Sequence, residues 1–237
     1  MAKMSGFLGE LLGTFVLIVL GVGVNCGVNL NETYGKQNSD WLMIAFGWGM
    51  AVTMGVYVAG NIGSQGHLNP AVTIAEAVFG LFPWHQVSGY LLGQFLGAML
   101  GAIVVTIHYY PHLKVTTPAE GNHVGIFATA PAIDQPVFNL LSETIATFTF
   151  IYVLLNLGNF TVGLKPFIVG FLIFAIGMSL GTTTGYAINP ARDWGPRLVY
   201  TLLPIPNKGN SQWSYAWIPL VGPILGGLLA AALFKIQ

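Results

Sequence analysis

Apolar residues run along this chain in long blocks, separated by short polar connections rich in turn formers. A membrane span needs about 20 mostly apolar residues. Six segments reach that length, at roughly 6–28, 41–60, 86–108, 137–156, 164–182 and 214–235. Two further apolar stretches, near 70–80 and 190–201, are about half as long. Each opens on the same tripeptide, Asn69-Pro70-Ala71 and Asn189-Pro190-Ala191. Asn is a favoured N-cap and Pro is favoured at the first helical position. Each copy therefore predicts a short helix whose preceding residues are extended. Such broken backbone is tolerated at membrane depth only where it is buried or lines a water-filled cavity. The pattern predicts two re-entrant half-helices that face a pore or binding site at the midplane.

The halves repeat. Glu10-x-x-x-Thr14-Phe15 in span one matches Glu143-x-x-x-Thr147-Phe148 in span four. Gly93-x-x-x-Gly97 in span three matches Gly222-x-x-x-Gly226 in span six. Each half reads span, span, half-helix, span. Three spans per half is odd, so the second half inserts upside down relative to the first. The expected architecture is an all-α membrane protein, six transmembrane helices plus two re-entrant half-helices in an inverted repeat. It forms one channel domain over 1–237, with repeats at about 1–110 and 136–237. The half-helices then meet N-terminus to N-terminus. Glycines every four residues (Gly89, Gly93, Gly97, Gly101) and every seven (Gly163, Gly170, Gly177) predict close helix packing in lipid.

Composition agrees. Only 7% of the 237 residues are charged, against roughly 25% in soluble domains. The net charge is zero, which implies no nucleic-acid surface. One cysteine, Cys26, excludes an internal disulfide and a multi-cysteine metal site. The run Phe7 to Val24 reads as the first span rather than a cleaved signal. Lys3, Lys165 and Lys235 balance Lys36, Lys114 and Lys208 across the two faces, so charge does not orient the chain. His108-x-x-x-His112 has metal-like spacing but no acidic partner and reads as a wet loop. No nucleophile–base pair, metal-ligand set or nucleotide motif is visible, so no enzyme, metal or cofactor is expected.

Glu10 and Glu143 lie inside apolar spans, where a carboxylate is costly unless paired or functional. Their equivalent places in the repeat point to braces that accept N–H bonds from the irregular backbone before each half-helix. A proton relay would need further titratable groups along a path, and the spans supply none. The converging half-helices present positive ends and the side-chain amides of Asn69 and Asn189 to the pore centre. Before them, Gln65-Gly66-His67-Leu68 and Gly185-Tyr186-Ala187-Ile188 are expected to turn a ladder of carbonyls into the lumen. Acceptors followed by donors suit a neutral hydroxylated solute, and the positive helix ends repel cations. Arg192, close to the deep end of its half-helix, reads as a pore-lining donor.

Together these features resemble the aquaporin (major intrinsic protein) family. His67-Leu68-Asn69-Pro70-Ala71-Val72-Thr73 and Asn189-Pro190-Ala191-Arg192-Asp193 match its signatures, and the resemblance spans essentially the whole chain. Asp193 after the arginine marks the glycerol-conducting branch, the aquaglyceroporins, and implies a further loop brace. The family's selectivity constriction, carried over by position, is Trp48, Gly177, Tyr186 and Arg192. Trp48 and Tyr186 would form an apolar corner facing Arg192, with Gly177 leaving the lumen wide. The chain departs from the pattern at Tyr186, where glycerol facilitators usually have phenylalanine. It also departs at one apparent extra residue in Asn61 to His67 and at Glu76, expected near the cytoplasmic mouth.

The resemblance implies a passive channel for glycerol, water and other small neutral solutes such as urea, closed to ions and protons. It implies a homotetramer in a cell membrane with both termini cytoplasmic, and the short tails suit a bacterial inner membrane. A channel for undissociated lactic acid, or a coupled secondary transporter, is the rival reading.

Overall fold

The structure, a computed structural model, describes residues 2–237. The side chain of Lys3 lies outside the described residues. Among these residues the chain forms α1 (Ala2–Asn29), α2 (Tyr34–Asn38), α3 (Trp41–Asn61), α4 (Pro70–Val78), α5 (Trp84–His108), α6 (Tyr110–Lys114), α7 (Pro136–Asn156), α8 (Lys165–Leu180), α9 (Pro190–Leu202) and α10 (Ile218–Lys235), with no strand. Local chemistry sets several boundaries. Asp40 caps α3 through Leu42 N at 2.9 Å. Proline occupies the first turn of α4, α7, α8, α9 and α10, where its missing N–H costs nothing.

Among the described residues, five helices are long and apolar enough to cross a membrane: α1, α3, α5, α7 and α10. The sixth expected span is α8, which has only 16 residues, about 24 Å at 1.5 Å per residue. It falls within two residues of the expected 164–182 at each end. Gly163 sits in a turn ahead of the helix with φ 86°. Nothing lies within 4 Å of where its Cβ would be, so it does not join the packing row expected of it. At the other end the chain leaves the helix near Gly181 to begin the loop before α9.

The helices pack in matching pairs, α1 on α5 and α7 on α10. A Cβ on Gly93 would stand 2.6 Å from the Phe7 carbonyl oxygen, and one on Gly222 would stand 2.8 Å from Glu143 Cβ. Only glycine allows these backbones to touch, and that contact drives association in lipid. The pairing brings the glutamate helices against the helices that flank the half-helices.

Alternation of the spans gathers the termini and the connections 62–69 and 157–164 at one face, the terminal face. The connections 30–40, 109–135, 181–189 and 203–217 lie at the opposite, distal face. Helix α4 enters from the terminal face and α9 from the distal face. The 109–135 connection is exposed at its start, around His108 and over 117–120. Its later part packs as a cap, with Val124, Ile126 and Phe127 fully buried. His112 Nδ1 bonds the Asn31 carbonyl oxygen at 3.0 Å, and Asn25 Nδ2 donates to the Ile126 carbonyl at 3.1 Å.

Candidate functional site

The site is built where α4 and α9 meet. Each half-helix starts at an asparagine whose side-chain oxygen is spent on capping. Asn69 Oδ1 accepts from Ala71 N at 2.9 Å. Asn189 Oδ1 accepts from Ala191 N at 3.0 Å and Arg192 N at 3.2 Å. That fixes the amide nitrogens pointing across the junction. Asn69 Nδ2 donates to the Ile188 carbonyl at 2.8 Å, and Asn189 Nδ2 donates to the Leu68 carbonyl at 2.7 Å. Each amide carries two N–H groups, so one remains beyond the cross-bond. The carbonyls of Leu68 and Ile188 are therefore already engaged, each by the asparagine of the other half. Each of these oxygens keeps a second lone pair beyond the cross-bond.

The two loops share one construction. Glu10 Oε1 accepts from Ser64 Oγ and from His67 N at 3.0 Å, and Oε2 accepts from Leu68 N at 2.7 Å and Gln94 Nε2 at 2.6 Å. Glu143 Oε1 accepts from Thr184 Oγ1 at 2.6 Å and Ala187 N at 2.9 Å, and Oε2 accepts from Ile188 N at 2.9 Å. Both carboxylates are fully buried. The backbone they hold is left-handed at equivalent places: Gly66 and Leu68 have φ 71° and 51°, Tyr186 and Ile188 have φ 37° and 43°. The apparent extra residue in the first loop leaves this register intact. A non-glycine residue in the left-handed region costs about 1–3 kcal/mol. Charge-assisted bonds to a buried carboxylate offset that cost.

Two cavities open along the half-helices. The inner one is lined by residues that include Leu17, Val52, His67, Phe150, Ile173 and the two asparagines. The outer one opens to the distal face and is lined by residues that include Asn25, Trp41, His123 and Thr182. Trp48, Tyr186 and Arg192 line both, so the passage between the cavities runs past these three. Trp48 and Tyr186 are 3% exposed and Arg192 4%, so little room is left. Arg192 Cζ lies 4.0 Å above the Trp48 ring, a cation–π contact that orients the guanidinium. Trp48 Nε1 donates to Asn25 Oδ1 at 3.1 Å. Arg192 Nη1 and the Tyr186 hydroxyl have no partner among the described residues. A buried polar group left unpaired costs about 1–3 kcal/mol, which a passing oxygen-bearing molecule would recover.

The guanidinium stacks on Trp48, and Tyr186 packs edge-on to Trp41 at 5.8 Å. One expectation needs correction. The space at Gly177 does not widen the lumen. A Cβ there would stand 2.9 Å from both Tyr186 Cζ and its hydroxyl, so the tyrosine ring occupies that room.

The remaining residues lie around this core. Gln65 N donates to the Tyr90 hydroxyl at 3.0 Å, away from the constriction. His67 Nδ1 bonds Thr73 Oγ1 at 3.0 Å, and its Nε2 lies 3.4 Å from Glu76 Oε2 at the terminal-face side. Gly185 lines the outer cavity and Ala187 the inner one. Asp193 accepts from Thr129 N at 2.8 Å and Thr129 Oγ1 at 2.6 Å. It also accepts from Arg197 Nε at 2.8 Å and Nη2 at 2.9 Å. Arg197, which sequence reasoning passed over, is fully buried and also donates to the Thr129 carbonyl at 2.7 Å. Its i, i+4 spacing from Asp193 was the available signal. Trp41 was missed too, although it lies two helical turns before Trp48 on the same face of α3.

A helical bundle with two opposed half-helices beside a narrow, partly polar passage is a transmembrane pore by architecture. The comparisons with known proteins name the class further. The model of the major intrinsic protein family matches residues 1–234, and the chain belongs to that family. It is 64% identical over 231 residues to glycerol uptake facilitator protein 2 of Lactiplantibacillus plantarum, covering 97% of this chain and 98% of that protein. It is 51% identical over 234 residues to the glycerol uptake facilitator protein of Bacillus subtilis, covering 98% of this chain and 84% of that protein. Among solved structures, the aquaglyceroporin from Plasmodium falciparum matches with a TM-score of 0.86 at 28% identity, covering 98% of this chain and 96% of that one.

Proposed function

We propose that the chain is a passive channel that lets glycerol, water and similarly small neutral solutes cross a cell membrane and holds back ions and protons. Trp48, Gly177, Tyr186 and Arg192 are its selectivity filter, with Gly177 acting by seating the tyrosine. Asn69 and Asn189 are the donors at its centre, and the carbonyls of residues 65–68 and 185–188 are the acceptors along it. Glu10, Glu143 and Asp193 brace the loops. One domain over 1–237, built of two inverted repeats, carries the pore. The protein is a homotetramer in the plasma or inner membrane with its termini in the cytoplasm.

The observation that carries this reading is the pair of buried, unpartnered polar groups on Arg192 and Tyr186, beside the apolar face of Trp48 where the two cavities adjoin. A small polyol matches both sides: its hydroxyls bond the polar groups and its carbons lie on the ring. No aspartate or glutamate lines either cavity among the described residues. Two positive helix ends and a guanidinium face any cation there. The names of the relatives point to the same solute.

Stopped-flow light scattering of proteoliposomes tests it, with separate gradients of glycerol, urea and lactic acid at low pH. Glycerol flux well above that of empty vesicles, without collapse of an imposed pH gradient, is expected. Arg192→Ala and Trp48→Ala variants that keep wild-type selectivity among the three solutes would remove the filter assignment.

A further inference from the structure

We propose that Trp41, outside the four filter positions, is a positioning residue that sets solute selectivity by holding the Tyr186 side chain. The proposal deepens the channel reading and rests on it. The Tyr186 ring sits in a socket with three walls. Gly177 forms the first: a Cβ there would stand 2.9 Å from the ring's Cζ and hydroxyl. Gly181 forms the second, where a Cβ would stand 2.5 Å from Tyr186 Cδ1 and 3.0 Å from Trp41 Cζ2. Trp41 itself is the third, its ring edge-on to Tyr186 at 5.8 Å and 69°. Its Nε1 donates to the Gly177 carbonyl at 2.9 Å, so one side chain both walls the socket and ties α3 to α8 at the socket's floor.

The backbone alone does not fix the ring, because Tyr186 lies in the left-handed region at φ 37°, which an L side chain rarely occupies. The hydroxyl does not fix it either, since it has no partner among the described residues. Packing must therefore do so, and both glycine walls lack side chains. Trp41 is the wall that can be moved by substitution. With the socket closed, the tyrosine hydroxyl and Arg192 Nη1 are held buried and without partners at the wall between the two cavities. A solute bearing hydroxyls on neighbouring carbons can accept from the guanidinium and exchange a second bond with the phenol. The inferred preference is for short linear polyols over urea, with length limited by the ring.

The test compares permeability ratios for glycerol, erythritol and urea in proteoliposomes of the full chain. A general loss of folded channel lowers all three fluxes together and leaves the ratios fixed. Trp41→Ala should raise the erythritol-to-glycerol ratio and lower the glycerol-to-urea ratio, each by roughly fivefold, the scale of one neutral hydrogen bond. Trp41→Phe, which keeps a ring and loses the donor, should shift both ratios in the same directions by less, and it serves if the alanine variant does not fold. In a Tyr186→Ala background, Trp41→Ala should change the ratios no further. Unchanged ratios in both single variants, or additive shifts in the double variant, overturn the role of Trp41 while leaving the channel reading intact. Wild-type vesicles that pass no glycerol would remove both.

Discussion

Replacing Glu143 with glutamine isolates what its carboxylate contributes. The side chain keeps its size, so no cavity forms. A glutamine offers one oxygen and one NH2 group in place of two acceptors. The less costly orientation keeps the oxygen on Thr184 and Ala187. It then turns the NH2 toward Ile188 N, whose 2.9 Å bond is lost. One buried backbone donor is orphaned, at about 1–3 kcal/mol. That is the same size as the strain of about 1–3 kcal/mol at Ile188, held at φ 43°. The loss should therefore let the peptide turn. Its carbonyl accepts from Asn69 Nδ2, so the bond at the pore centre goes with it. Glu10→Gln should cost a like amount. Leu68 N loses its bond, while Gln94 can turn its unpartnered Oε1 to the new amide. Both variants should lose glycerol permeability by roughly tenfold, since 1.4 kcal/mol is a factor of ten, and both should melt earlier in detergent by tryptophan fluorescence. Wild-type flux and melting in both, or a defect in one alone, would refute the argument.

Other outcomes follow from the same geometry. Asp193→Ala leaves the buried Arg197 guanidinium without its carboxylate, which costs about 3–5 kcal/mol. The yield of monodisperse protein on gel filtration should collapse and should partly return in Asp193→Ala/Arg197→Met; equal yields throughout would count against the pairing. Asn69→Asp keeps the cap on Ala71 N but sets a carboxylate oxygen against the Ile188 carbonyl and adds a negative charge at the helix ends. Glycerol flux should fall and a cation leak appear, read with a pH-sensitive dye inside vesicles; a variant as tight as wild type contradicts the charge argument. Glu120 accepts from Thr117 N at 2.8 Å and Thr117 Oγ1 at 2.7 Å. These bonds hold its carboxyl below the usual carboxylate range. Its folded pKa is depressed, so its stabilising effect is present above the ordinary value of about 4.3 and is lost as pH falls through the folded value. A carbon-13 carboxyl titration of Glu120 that is not lower than that of a free glutamate removes the claim.

The half-helices, their caps and the two buried glutamates were legible because each rests on a local rule: a capping asparagine, a proline in the first turn, a charge in an apolar run. What sequence reasoning missed depends on contacts between distant segments. The start of α8 agrees with the expected 164–182 to one residue, but its end at Leu180 is set by the loop before α9, which hydropathy does not see. Trp41 could be placed on the face of Trp48, but its bond to Gly177 joins residues 136 apart. Gly177 was read as empty space because nothing in the chain says which side chain fills it. The connection 109–135 read as solvated from its prolines and histidines, yet buried apolar residues such as Val124, Ile126 and Phe127 and contacts from Asn25 and Asp193 draw it onto the bundle.

The crossed amide bonds at the junction have a consequence for biogenesis. Until the second asparagine arrives, the Asn69 amide lacks the Ile188 carbonyl and the Leu68 carbonyl lacks the Asn189 amide. A nascent chain that has emitted only its first three spans holds an open seam with unmet polar groups at mid-bilayer. The join closes only when the last re-entrant segment swings in, so lesions near residue 189 should leave the opposite half as easily digested as their own.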